Sequence, residues 1–167
     1  DGKIRINLDP KKPVDFALRL RIPTWAGKQF VPGKLYQYAN AAPATWTLKV
    51  NGKPVEMKLE KGFAVIERTW KRGDHVELKL PMPVRLNTCH PKVEANHDRV
   101  ALTRGPFVLC AEGVDNGGVT ERYFFDQLPK VTGASVKTRS IESGSFIQTT
   151  VPARALTAAG GAESQPL

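Results

Sequence analysis

Apolar and polar residues alternate along much of the chain. Phe16, Leu18, Leu20 and Ile22 fall on one side and Ala17, Arg19 and Arg21 on the other, as in a strand with one buried and one wet face. Trp46, Leu48 and Val50 alternate with Thr47 and Lys49. Asn51-Gly52 then offers the positive φ angles of a tight turn, and Val55, Met57 and Leu59 alternate on the way back, which predicts a β-hairpin. After a turn at Glu60-Lys61-Gly62 comes a third run over 63–70. Lys71-Arg72-Gly73-Asp74 turns the chain into Val76, Leu78 and Leu80. Four strands joined by short turns predict a meander, and such sheets bury their apolar faces by stacking into a sandwich.

Pro81-Met82-Pro83 ends this pattern, because proline cannot donate to a ladder and restricts its predecessor. A boundary between there and Pro91 divides the chain into 1–88 and 89–167. Residues 100–103 and 107–111 read as strands around a turn at Gly105-Pro106, and 123–125 and 146–151 as further strands. The Ala-rich stretch 153–161 reads as a loop or fragment edge. The long loop 26–45, rich in Gly, Pro and Asn, exceeds the usual length of about 12–15 residues beyond which loops tend to be functional or mobile. No stretch of ten residues has a helical period. The expected fold is all-β: an antiparallel β-sandwich over about 14–84, followed by a second β unit truncated at its C-terminus.

Composition agrees with this picture. The chain has 167 residues, 41% of them hydrophobic, enough for a core without disulfide staples. The longest apolar runs, 63–66 and 106–111, are strand-sized, far short of the roughly 18 residues of a helical membrane span. The chain opens on Asp1-Gly2-Lys3 without a basic-then-apolar leader, as expected of a piece of something longer or of a chain whose leader is removed. Residues 1–88 hold 17 Lys/Arg against 8 Asp/Glu, and residues 89–167 hold 8 against 8, so the first half carries the whole charge of +9. Its basic residues, such as Arg19, Arg21, Lys49 and Lys79, alternate with core positions as outward faces do. With no helix-turn-helix, zinc-finger or RNA-recognition signature, this favours a surface that docks an acidic domain over nucleic-acid binding.

Each candidate constellation has a plainer reading beside it. Cys89-His90 and His97-Asp98 carry metal-ligand chemistry, but an adjacent Cys and His converge awkwardly on one ion; solvated loop residues are the preferred reading, with no metal or cofactor. Cys89 or Cys110 with His75, His90 or His97 would need a base oriented by a third group, and Cys110 lies in an apolar strand where cysteine behaves as a small hydrophobe. Two cysteines do not make a disulfide framework. Glu67, Glu77, Glu94, Glu112 and Asp115 supply carboxylates without singling out a pair. Trp25, Tyr36 and Tyr38 are the candidate sugar-stacking residues, the two tyrosines as an exposed loop platform, whereas Trp46 and Trp70 sit at strand positions suited to packing.

The segments Phe16-Ala17-Leu18-Arg19-Leu20-Arg21-Ile22-Pro23-Thr24-Trp25, Val50-Asn51-Gly52-Lys53-Pro54-Val55, residues 65–74 and residues 76–85, followed by His90-Pro91-Lys92-Val93-Glu94, residues 99–106 and Glu112-Gly113-Val114-Asp115-Asn116, resemble in order the C-terminal β-sandwich region of the β-L-arabinofuranosidase family, glycoside hydrolase family 127. The resemblance covers most of residues 1–126. It implies that the chemistry belongs to a preceding helical barrel, with a cysteine nucleophile in a zinc-thiolate site and a glutamate acid/base. Cys89 and Cys110 do not stand in that pattern, so no catalytic or metal residue is expected here. The implied role is accessory: bracing the catalytic barrel of a plant-glycan-degrading hydrolase. The alternative is an independent carbohydrate-binding module using Trp25, Tyr36 and Tyr38. Family members tend to end in an aromatic strand, and this chain stops at Leu167 before one, so an open sheet edge favouring self-association is also expected.

Overall fold

The computed structural model describes residues 2–39, 45–115, 118, 123–125, 131, 136–141, 144–156 and 162–166. Its described elements are antiparallel strands and three short 3-10 turns: the chain is all-β. In the first unit, β1 (Lys3–Asn7), β2 (Val14–Arg21), β4 (Thr47–Val50), β5 (Lys53–Pro54), β6 (Lys58–Glu60), β7 (Phe63–Trp70) and β8 (His75–Lys79) divide between two sheets. Sheet one has the order β1-β8-β4-β5 and sheet two β2-β7-β6. Leu20, Ala64, Ile66 and Trp70 from sheet two meet Leu48, Val50, Val76 and Leu78 from sheet one in the core.

The predicted meander is corrected here. Asn51 and Gly52 do take positive φ, 50° and 77°, and turn the chain as read. The hairpin then lasts only through the pairs Val50↔Lys53 and Lys49↔Pro54, since Pro54 has no N–H with which to extend it. The chain crosses to sheet two, where Lys58–Glu60 pairs with β7, and crosses back at 71–74 into β8. The chain therefore changes sheet between β1 and β2, between β5 and β6 and between β7 and β8, while β4–β5 and β6–β7 stay within one sheet each. The first strand, β1, was absent from the sequence reading although Ile4 and Ile6 alternate with Lys3, Arg5 and Asn7.

The second unit begins with β9 (Val84–Cys89), which pairs with β10 (Val100–Arg104), itself paired with β11 (Phe107–Leu109) across Gly105-Pro106. The other edge of this sheet is β3 (Tyr36–Tyr38), paired with β9. A three-residue strand thus leaves the long loop of the first unit to complete the sheet of the second. Further along lie β12 (Tyr123–Phe124), β13 (Val136–Ile141), β14 (Gly144–Thr149), β15 (Pro152–Leu156) and β16 (Ala162–Pro166). β13 pairs with β14, and β15 stands between β12 and β16. Of the stretch 153–161, expected as loop, residues 153–156 are strand, since backbone pairing with two neighbours overrides the weak local propensity of an Ala-rich stretch; residues 157–161 lie outside the described residues. Val84, Leu86, Val131 and Val151 form the second core.

Candidate functional site

Between the two units lies a buried polar joint. Along β9 the side chains alternate, sending Val84 and Leu86 into the second core and Arg85, Asn87 and Cys89 to the opposite face. Register places Tyr38 beside Asn87 and Tyr36 beside Cys89, so both tyrosines share that face, toward the 3-10 turn Thr24–Ala26. Thr24 Oγ1 donates to Phe30 O at 2.9 Å, fixing the start of the loop that carries β3.

Arg85 is only 4% exposed. Its guanidinium carbon stands 4.3 Å from the centre of the Tyr38 ring, and Nη1 donates to Gly27 O at 3.3 Å. Its Nη2 and Asn87 Oδ1 are buried with no hydrogen-bond partner among the described residues. The ring face, with a carbonyl, thus holds the buried cation. Tyr38 donates its hydroxyl to Trp25 O at 3.2 Å. Burial pushes its phenol above the usual range, against the opposing pull of the Arg85 cation and a hydrogen bond with Thr103, so the hydroxyl keeps the proton it donates. Asn87 Nδ2 bridges Ala101 O at 3.3 Å and Thr103 Oγ1 at 2.9 Å across to β10.

The aromatic residues singled out from sequence are brought together, but not as an exposed platform. Tyr38 is buried at 8% exposure; Tyr36 is half-buried and accepts from Asn96 Nδ2 at 3.0 Å; Trp25 is half-buried against the first core. That part of the expectation is corrected, because pairing of 36–38 with β9 turns the tyrosines into the joint. Arg85, Asn87 and Thr103 were missed. The alternation Val84-Arg85-Leu86-Asn87 is the signal that could have found the strand, but alternation alone does not say what covers its polar face.

The thiol, imidazole and carboxylate candidates do not converge. Cys89 and Cys110 are free thiols, and Cys89 Sγ donates to Asn96 O at 3.0 Å, inside the turn that follows β9. His90 Nδ1 accepts from the Lys92 amide, and exposed His97 lies 3.0 Å from Asp98. Glu67 on β7 and Glu77 on β8 stand on outer faces of opposite sheets, separated by the core. Among the described residues no group of three His, Cys, Asp or Glu side chains is placed to hold a metal ion.

Two family models match the chain. The GH127 middle domain of beta-L-arabinofuranosidase matches residues 1–82, and the glycoside hydrolase family 127 C-terminal domain residues 84–158. A non-reducing end beta-L-arabinofuranosidase from Bifidobacterium longum subsp. longum is 34% identical over 123 residues, 71% of this chain and 16% of that protein. Among solved structures, a GH127 beta-arabinofuranosidase is similar over 99% of the chain, with TM-score 0.87 and 36% identity. A GH127 beta-L-arabinofuranosidase from Geobacillus stearothermophilus T6 is similar over all of it, with TM-score 0.74 and 29% identity. The chain spans 26% and 25% of those two chains. It belongs to glycoside hydrolase family 127, matching that family's middle and C-terminal domains.

Proposed function

We propose that this chain is the non-catalytic, accessory β portion of a β-L-arabinofuranosidase-like glycoside hydrolase, bracing a catalytic barrel supplied by another part of the parent protein. The buried joint carries this reading: β3 completes the second sheet, and Arg85, Tyr38 and Thr24–Ala26 tie the two units together. A brace needs fixed geometry of this kind. The thiols, imidazoles and carboxylates face turns, solvent or opposite surfaces, whereas glycoside hydrolysis by two acids needs them about 5–9.5 Å apart across one bond. The similar proteins are named beta-L-arabinofuranosidases and extend well beyond the length matched here.

The test is an assay of the chain alone on p-nitrophenyl β-L-arabinofuranoside. The expected rate equals that of buffer, and turnover abolished by substituting a single residue of this chain would overturn the proposal. The module built on Trp25, Tyr36 and Tyr38 is not favoured, since Tyr38 has no free face to stack on a sugar.

A further inference from the structure

The outer face of sheet one is basic and ordered. Alternation sends Ile6, Leu48, Val50, Val76 and Leu78 inward and leaves Lys3, Arg5, Thr47, Lys49, Glu77 and Lys79 on the other side. Strand register sets these in two rows, Lys3–Lys79–Thr47 and Arg5–Glu77–Lys49. The face thus carries four cations and one carboxylate, Glu77, which lies 3.7 Å from both Arg5 and His75. Together with Ile4 and Leu78, these residues line a shallow depression of about 390 Å³.

We propose that this face is a binding site for an anionic polysaccharide, one whose sugar rings carry carboxylates. Strands within a row stand about 4.8 Å apart and the two rows, two residues apart along each strand, about 6.8 Å apart, so cations of both rows reach a single extended polymer. Lysine and arginine stems present methylene surface below their charged heads, a floor for the C–H faces of sugar rings, with the cations at the rim for the carboxylates. A protein partner is disfavoured, because the centres of protein interfaces are depleted in lysine and enriched in aromatic residues, and this face has the reverse composition. Nucleic acid is disfavoured because no aromatic side chain on the face offers a platform for bases. The inference goes beyond the bracing role and is independent of it; membership of a glycoside hydrolase family supplies only the class of polymer.

Affinity electrophoresis of the chain through gels holding de-esterified polygalacturonate tests it. Retardation at low salt is expected, lost in high salt as screening removes the contacts. Methyl-esterified polymer, which lacks the charge, should not retard the chain. Reversing two cations in K49E/K79E should weaken binding at least about tenfold with an unchanged circular dichroism spectrum; if that variant does not fold, K49Q/K79Q should weaken it about threefold. The proposal is overturned by no retardation at low salt, by equal retardation in the methyl-esterified gel, by equal binding to single-stranded DNA, or by undiminished binding in a folded charge variant.

Discussion

Between the sheets of the first unit, Trp70, Ile66, Val76 and Ala64 are sealed from solvent. The one polar atom among those side chains, the Trp70 indole nitrogen, donates to Phe16 O at 3.1 Å. At the joint, Arg85, Asn87, Thr103 and Tyr38 are buried nearly as completely, yet they are polar and are held by carbonyls, a hydroxyl and a ring face. Burial in the first place is favourable for any apolar side chain of the right volume. In the second it is favourable only in one arrangement, because a buried polar atom that loses its partner costs about 1–3 kcal/mol. An apolar core supplies stability, and a polar joint fixes how two units meet.

The sharpest way to break the comparison is at its apolar end. Trp70→Ala should destabilise the chain by about 3–5 kcal/mol, the range for emptying a large aromatic site, read as a lower urea midpoint. At the joint, Arg85→Ala should cost about 2 kcal/mol, less because it also removes a buried charge. A double-mutant cycle of Arg85→Ala with Tyr38→Leu should give a coupling of about 1 kcal/mol; strict additivity would mean that the cation gains nothing from the ring.

The seam also has a backbone element. Gly105 turns β10 into β11 with φ of 56°, and a Cβ there would come within 2.5 Å of Met82 Sδ in the connecting segment. Gly105→Ala should cost about 1–2 kcal/mol, and Met82→Ala should recover only the steric part, separable by thermal melts of the two variants and their combination.

The smallest effect belongs to a polar cluster on the first unit's own turns. Asp74 accepts from Asn51 Nδ2 at 2.7 Å and from the Lys71 amide at 2.9 Å, with Arg68 at 3.8 Å. These contacts, Asn51 foremost, hold its carboxyl below the usual carboxylate range. A group whose folded pKa is depressed adds stability above its unfolded pKa and loses it as pH falls through the folded value. Melting temperature should therefore fall on acidification below the ordinary range of an aspartate, and Asn51→Ala should flatten that acid limb. Identical acid limbs in the two proteins would refute the assignment.

Much of the first unit was legible because its signals are local. The inward set Leu20, Leu48, Val50, Val76 and Leu78, the Asn51-Gly52 turn and the break at Pro81-Met82-Pro83 follow from period-two alternation and the dihedral preferences of single residues. The joint was not legible for a related reason. Arg85 and Asn87 obey the same alternation, but a pattern of period two separates faces without saying what covers them. The expectation that polar means solvent fails where another segment supplies carbonyls and a ring.

By itself, then, the sequence determined that these residues form two-faced antiparallel strands, which of them enter the first core, and which family's residue order they follow. The tertiary structure decided which strands pair: β7 and β8, adjacent in the chain, lie in different sheets, and β3 joins the second unit. Pairing partners depend on contacts distant in sequence, whose closure entropy and burial no short window contains. Side-chain alternation, set by the geometry of each strand, needs no such contacts.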